Sequence, residues 1–240
     1  MTDSDTGPSV TALLVVKNGE RFISQALESI QAQTYPPEET IVLDGNSSDR
    51  SVEIARAFAG VRVSDQIGTG IADAFNQGVR EARGDLVAFL SHDDLWEPEK
   101  LARQVEFMAG HPAVAITFTR FRYFVEPGLE LPPGFNRGLL DRDLVGMIPE
   151  AMVARREVFG EVGPFDIDYA VAQDVDWLAR ARDLGVRMEV VPEILLNKRV
   201  HSSNTSADAE LNTPLLLRTL RESILRKRAL EDSGGGRDPQ

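Results

Sequence analysis

The chain has 240 residues, of which 42% are hydrophobic, enough to bury one substantial core. Its formal net charge of −12 opposes nonspecific binding to nucleic acid, and the absence of cysteine excludes disulfides and thiolate metal sites. No apolar run approaches the ~20 residues of a membrane span, and the N-terminus lacks the apolar core of a signal peptide. We therefore expect a cytoplasmic protein with no integral membrane segment and no nucleic-acid partner.

Strands and helices alternate regularly along the first half of the chain. Runs rich in β-branched residues predict strands, and apolar residues at intervals of three and four predict the helices between them. The predicted strands are 10–16, 40–43, 61–63 and 86–90, and the predicted helices are 20–33, 52–58 and 71–82. Such alternation is typical of an α/β fold whose mostly parallel sheet is joined by right-handed crossovers.

The second half is less regular. Apolar residues at helical spacing predict a helix that ends at Gly110. Beyond it, the pattern predicts strands at 113–119, 151–154 and 187–191 and a helix at 173–184. Residues 126–143 are rich in proline and glycine and show no clear periodicity. A loop that long inside a compact domain is usually functional, and we expect it to determine specificity.

The C-terminal segment 214–230 carries leucine and isoleucine among several arginines, which predicts an amphipathic helix. Three roles stay open for this helix: docking on its own domain, forming a homodimer, or contacting a membrane surface as part of a peripheral protein. Residues 1–8 and 232–240 are expected to be disordered.

Two adjacent carboxylates follow a strongly apolar strand. Asp93 and Asp94 come shortly after the apolar run 86–90. Open α/β sheets bind ligands at the carboxyl ends of their strands, and two carboxylates there repel each other unless a cation joins them. Hard oxygen ligands suit Mg²⁺ or Mn²⁺ carrying a substrate diphosphate. Alternatively, one of the two carboxylates caps the following helix, whose start Pro98 predicts.

Several motifs occur in an order that resembles one known family. They are VVKNGE (15–20), LDGNSSD (43–49), GIADAFNQG (70–78), ARGD (82–85), FLSHDD (89–94), VGPFD (162–166), QDVDW (173–177) and RVH (199–201). From about residue 9 to residue 206 the chain resembles the family-2 glycosyltransferases, inverting enzymes of the GT-A fold that transfer a sugar from a nucleotide diphosphate. The resemblance implies a Rossmann-like, three-layer α/β/α domain over 9–206 with a mostly parallel central sheet, and a helical extension over 207–231.

The resemblance implies that Asp44, at the end of the second strand, hydrogen-bonds the nucleotide base, usually through uracil N3–H. Considered without the resemblance, Asp44 and Gly45 form a simple turn. Lys17 stands where many relatives carry an aromatic residue that stacks on the base, which leaves the identity of the base less certain. The expected nucleotide contacts are Val16, Asn18, Glu20, Asp44, Asp73, Asn76, Ser91 and His92.

Asp93 aligns with the last aspartate of the family's Asp-x-Asp motif, which binds the divalent ion between the diphosphate oxygens. Ser91 stands where the first aspartate usually lies, so it offers the ribose or a water of the ion a hydroxyl but no charge. His92 should point to the opposite strand face, and the competing interpretation makes it a bystander. The expected ligands of Mn²⁺ or Mg²⁺ are Asp93, Asp94 and His201.

Asp174 aligns with the aspartate that takes the proton from the acceptor as the acceptor attacks the anomeric carbon. Gln173 replaces the customary glutamate, which leaves Asp174 less perturbed by like charge. Without the resemblance, Asp174 and Asp176 are favourable charges in the first turn of a helix. Trp177 either packs in the core or stacks on a sugar, and Arg199 or Lys198 neutralises the leaving phosphate. The expected acceptor or phosphate contacts are Gln173, Trp177 and Arg199.

We therefore expect a metal-assisted, inverting glycosyltransferase with a nucleotide-diphosphate sugar, preferably a UDP-sugar, as donor. The acceptor stays open among a saccharide, a lipid-linked saccharide, a peptide and a small molecule. One alternative is a sugar-phosphate nucleotidyltransferase, which would need a longer and more basic glycine-rich loop than residues 15–19 provide. Another is a catalytically silent module that binds nucleotide sugars, because Ser91 and Gln173 lack the expected charges.

Overall fold

The computed structural model describes residues 7–202, 215 and 217–226. In the first half, strands alternate with helices as the sequence predicts. The elements are β1 (Val10–Val16), α1 (Ile23–Gln31), β2 (Glu39–Asp44), α2 (Ser51–Arg56), β3 (Val61–Asp65), α3 (Gly70–Glu81) and β4 (Leu86–Ser91). The strands pair in parallel in the order β3-β2-β1-β4, so their carboxyl ends meet at one edge of the sheet.

The second half extends the same sheet with mixed pairing. Its elements are β5 (Leu95–Trp96), α4 (Lys100–Gly110), β6 (Ile116–Phe124), β7 (Leu144–Val145), β8 (Met152–Arg155), α5 (Val158–Val162), α6 (Gln173–Asp183) and β9 (Met188–Arg199). β8 lies antiparallel between β4 and β6, β9 is parallel to β6, and β5 is antiparallel to β9. The predicted α/β class with a largely parallel sheet is confirmed.

The last strand is longer than the sequence predicts. The pattern predicts a strand that stops before Pro192, but β9 runs on to Arg199. The register with β6 shifts here, because Thr119 pairs with Val191 while Arg120 pairs with Ile194. A bulge of this kind accommodates proline, which has no N–H to give to the ladder. The continued strand carries the residues near 199 to the carboxyl edge of β4.

An aromatic cluster joins α3, β4 and the segment that leads into α6. Phe89 lies edge to face with Phe75, with ring centroids 4.9 Å apart, and Trp177 stacks on Phe159 and Phe165 at 4.9 and 5.3 Å. These rings are buried, and burial of each large apolar side chain contributes about 1.5–3 kcal/mol. The cluster therefore fixes where α6 begins relative to the sheet edge.

Residues 217–226 form a helix that contacts the domain through polar side chains. Thr219 Oγ1 donates to Tyr169 Oη at 3.2 Å, and both Ser223 and Arg226 donate to Asp183. Its apolar side chains are exposed instead: Leu217, Leu220, Ile224 and Leu225. The predicted contact of this helix with a second copy or a membrane surface stays a prediction.

Among the described residues, no helix has the length and apolar character needed to cross a membrane. The expected disordered ends 1–6 and 232–240 lie outside the described residues, as do most of the extension 207–231 and the end of the 9–206 domain. Pro8, at the end of the first expected disordered segment, accepts a hydrogen bond from the Tyr35 hydroxyl at 2.8 Å.

Candidate active site at the carboxyl edge of the sheet

The loops that follow β1 and β2 brace each other. Asn18 Oδ1 accepts a hydrogen bond from the Ser48 N–H at 2.8 Å, and Glu20 Oε2 accepts one from the Arg50 N–H at 3.0 Å. Asn18 adopts a left-handed φ of 53°, which asparagine tolerates better than most residues. The two expected nucleotide contacts Asn18 and Glu20 thus lie in one rigid double loop at the sheet edge.

Asp44 ends β2 directly beside Val16, the last residue of β1. Its carboxylate is buried and accepts from the Ser47 N–H with both oxygens, at 3.3 and 3.1 Å. The turn that Asp44 and Gly45 predict is therefore present, and its carboxylate has a fixed orientation. The Val16 side chain is buried, so only its backbone could meet a ligand.

Asp73 and Asn76 both lie on α3, and each has a structural contact. Asp73 Oδ2 accepts from the Thr69 N–H at 2.9 Å, at the start of the helix. Asn76 is buried and clamps the Phe165 backbone, donating to its carbonyl and accepting from its N–H at 2.8 Å each. Asn76 thus has a structural role that holds Phe165, and its contact with a nucleotide stays a prediction.

His92 packs against the loop that follows β1. A Cβ at Gly19 would lie 2.4 Å from His92 Cδ2, so only glycine allows this approach. Burial lowers the pKa of His92, with His201 adding to the fall and Asp93 opposing it, and this favours the neutral ring. His92 therefore supports the loop, as the bystander interpretation holds, and its contact with a nucleotide stays a prediction.

Asp93 and His201 form the core of the expected metal site. His201 Nε2 lies 3.1 Å from Asp93 Oδ2, and the His201 ring packs 5.0 Å from Phe22. Two ligand atoms of one octahedral ion bonded at 2.0–2.1 Å lie about 3 Å apart, so this spacing fits Mg²⁺ or Mn²⁺. Within residues 7–202, 215 and 217–226, no group of three histidine or acidic side chains could hold an ion alone. Substrate phosphate oxygens would have to complete the coordination.

Asp94 is buried and held by framework contacts, which argues against the metal-ligand role expected from the sequence. It is 1% exposed and accepts from Lys198 Nζ at 2.6 Å and from the Arg199 N–H at 2.9 Å. Although burial disfavours the Lys198 cation, Asp94 and Glu150 raise its pKa above the ordinary value. The pairing of β5 with β9 turns Asp94 inward, where the lysine satisfies it.

Arg199 is part of the framework and does not reach toward a phosphate, which corrects a second expectation. The residue is 1% exposed, and its Nε donates to the Asp93 carbonyl at 2.7 Å. Its guanidinium also contacts Gln25 and Glu126 and lies between the rings of Phe22 and Phe124. Arg199 thereby fixes the backbone of Asp93, the expected metal ligand.

Asp174 lies in the first turn of α6, which starts abruptly. Ala172 precedes the helix with a left-handed φ of 60°, a conformation that costs a non-glycine residue about 1–3 kcal/mol. Burial, followed by the nearby charge of Glu150, raises the pKa of Asp174 to about 6. A carboxylate with that pKa is ionised at neutral pH and is a stronger base than an ordinary aspartate.

The other residues of the QDVDW motif are structural. Trp177 is fully buried, and its Nε1 donates to the Gly163 carbonyl at 2.8 Å, so the alternative of stacking on an acceptor sugar is wrong. Asp176 is buried and paired with Arg180 at 2.9 Å. Gln173 is also buried, and its Oε1 has no hydrogen-bond partner among the described residues.

Glu150 was not singled out from the sequence, yet it lies at the centre of the site. Its Oε1 accepts from Ser91 Oγ at 2.7 Å and lies 3.4 Å from Lys198 Nζ. The only local signal is an acidic residue directly before the apolar strand 151–154. The site thus contains three features. Asp174 on α6 has a raised pKa, Lys198 lies between the carboxylates of Asp94 and Glu150, and Asp93 pairs with His201 at the sheet edge.

The sequence of this chain matches one family model and is similar to proteins of known name. The glycosyl transferase family 2 model matches residues 11–163. A PGL/p-HBAD biosynthesis glycosyltransferase of Mycobacterium bovis BCG is 31% identical over 189 residues, which are 72% of this chain and 69% of the relative.

Solved structures show the same fold. Staphylococcus aureus TarS 1-349 in complex with UDP-GlcNAc superposes with a TM-score of 0.72 at 17% identity, covering 91% of this chain and 66% of that one. The mannosyltransferase PcManGT from Pyrobaculum calidifontis in complex with GDP-Man and Mn²⁺ has a TM-score of 0.65 at 20% identity, covering 98% and 67%. The chain spans 37% of a longer TarS chain. The expected GT-A fold is confirmed.

Proposed function

Because this chain belongs to glycosyltransferase family 2, we propose that it transfers a sugar from a nucleotide-diphosphate donor to an acceptor nucleophile with inversion. The observation that carries the proposal is Asp174 at the start of α6, a half-buried carboxylate at the edge of the sheet whose pKa is raised to about 6. Family membership favours this reaction over nucleotidyl transfer, and the tuned base favours an enzyme over a silent binding module.

The donor in this proposal is a UDP-sugar. The fixed Asp44 carboxylate would accept a hydrogen bond from the ring N–H of uracil, and the double loop of Asn18 and Glu20 would flank the nucleotide. The TarS structure contains UDP-GlcNAc, whereas the PcManGT structure contains GDP-Man, so the fold accepts both kinds of base.

The chemistry needs a base for the acceptor and a stabiliser for the leaving diphosphate. As the acceptor oxygen bonds to the anomeric carbon, the bond from that carbon to the diphosphate breaks and UDP leaves with the electron pair. Asp174 takes the acceptor proton. Mn²⁺ or Mg²⁺, when bound at Asp93 and His201 together with the diphosphate, would neutralise the charge that develops on UDP.

A thermal-shift panel tests the donor and the metal together. We expect UDP-GlcNAc with Mn²⁺ to stabilise the chain, because a ligand at 100 times its Kd adds about 2.7 kcal/mol, or roughly 5–10 °C in Tm for a domain of this size. UDP-GlcNAc without the metal, and GDP-Man with it, should shift Tm much less. Equal shifts with GDP-Man would overturn the base assignment, and equal shifts without Mn²⁺ would overturn the metal assignment.

A further inference from the structure

Glu150 faces Ser91 across two neighbouring strands. β8 runs antiparallel to β4 with Val153 opposite Ala88. Continuing this register along both chains places Glu150, in the turn Pro149–Ala151, opposite Ser91 at the end of β4. Ser91 Oγ donates to Glu150 Oε1 at 2.7 Å, so the two side chains meet at the position where the family motif begins with an aspartate.

The Glu150 carboxylate has a fixed position. Its side chain is 13% exposed, and its backbone oxygen accepts from Trp96 Nε1 at 3.0 Å. Lys198 lies 3.4 Å from Glu150 and 2.6 Å from Asp94, so one cation serves two carboxylates. In the contact with Ser91, the Glu150 carboxylate oxygen is the acceptor and the serine hydroxyl is the donor.

The direction of this bond decides what Ser91 offers to a ligand. A serine hydroxyl has one proton and two lone pairs, and the proton of Ser91 is directed to Glu150. Ser91 therefore presents only an acceptor to the active site, as an aspartate would. A ligand hydroxyl is matched by that acceptor, whereas a phosphate oxygen, which also accepts, is not.

We infer that Ser91 and Glu150 form a dyad that replaces the first aspartate of the motif. Ser91 accepts a hydrogen bond from a ribose hydroxyl of the nucleotide donor, and Glu150 is the positioning residue that orients the Ser91 proton. The carboxylate that the sequence lacks at position 91 is thus supplied from another strand. The inference rests on the proposed function, because it concerns the same donor site.

Binding of UDP with Mn²⁺, measured by calorimetry, tests the dyad. Ser91→Ala and Glu150→Ala should each weaken UDP binding about three- to ten-fold, the worth of one neutral hydrogen bond. The double variant should bind no worse than either single variant, because both changes remove the same interaction. Each single variant should also lose the preference of the wild type for UDP over 2′-deoxy- or 3′-deoxy-UDP.

Ser91→Asp separates this role from a purely structural one. In the wild-type background the new carboxylate faces Glu150 and should weaken UDP binding. In the Glu150→Ala background it should restore binding to within about two-fold of the wild type, since a single carboxylate again accepts from the ribose. The exposed Glu157→Ala is the matched control and should change nothing.

The outcomes distinguish the two proposals. If the wild type binds UDP but Ser91→Asp acts alike in both backgrounds, the dyad is overturned and the proposed function stands. An additive double variant with an unchanged preference for UDP over its deoxy analogues also overturns the dyad. If the wild type binds no nucleoside diphosphate with Mn²⁺, the proposed function fails and the dyad fails with it.

Discussion

Lys100 gives the most quantitative prediction, because it is a fully buried lysine in the core. It begins α4, is 0% exposed, and donates to Gln104 Oε1 at 2.8 Å. Its ammonium also lies 4.5 Å from the centroid of a Trp96 ring. Burial lowers the pKa of Lys100 from 10.5 to about 7, although Glu150 opposes the fall. We expect Lys100→Met to change both the stability of the chain and its dependence on pH.

The sign follows from proton linkage. Between pH 7 and 10.5 the unfolded chain keeps a proton on Lys100 that the folded chain has lost, so the stability of the wild type rises with pH. The stability that the folded chain gains from holding Lys100 neutral is fully present above pH 10.5 and is lost as the pH falls through 7. At about 1.36 kcal/mol per pKa unit, it amounts to roughly 5 kcal/mol at most.

Lys100→Met removes this penalty but leaves Gln104 Oε1 without its donor, at a cost of about 1–3 kcal/mol. It also removes the contact with the Trp96 ring, at a cost of about 0.5–2 kcal/mol. The variant should therefore be between about equal in stability and about 3 kcal/mol more stable than the wild type at pH 7. Because the wild type gains about 3.5 kcal/mol by pH 10, the variant should be the less stable of the two there.

Urea unfolding at pH 7, 8, 9 and 10 measures the difference. Lys17→Met, which removes an exposed lysine, is the matched control and should follow the wild type in parallel. If the free energies of unfolding of Lys100→Met and the wild type differ by a constant amount across this range, Lys100 is not neutral in the folded chain and the reasoning is refuted.

Three further predictions concern the site. Asp174→Asn should keep UDP binding but lower turnover by about 10²–10⁴-fold, whereas the buried Asp176→Asn should lower the melting temperature more than the turnover of the folded chain. The turnover of the wild type should fall as pH drops through about 6, where the base becomes protonated, and a profile flat down to pH 4.5 would contradict the assignment. Asp93→Ala should lose Mn²⁺-dependent UDP binding in calorimetry with an unchanged unfolding curve. Asp94→Ala should instead lose about 3–5 kcal/mol of stability in urea unfolding, because it removes the nearest carboxylate from Lys198, whose side chain is only 18% exposed; equal stability of the two variants would refute this contrast.

Local patterns in the sequence suffice to predict the α/β class, the alternation of strands and helices in the first half, and the strand ends near Asp44 and Asp93. These features follow from local periodicity: two residues for a strand, and three or four for a helix. The place of Asp174 near the start of a helix follows from the same kind of pattern.

Which polar side chains face the site depends on how distant segments of the chain pack together. Asp93 and Asp94 are neighbours in the sequence, yet Asp93 contacts His201 at the expected metal site while Asp94 is paired with Lys198 on β9. Glu150 and Ser91 are 59 residues apart in the sequence, and the register between β4 and β8 brings them together. Such registers depend on how the whole sheet packs and on a bulge at Pro192, and local periodicity carries no information about them.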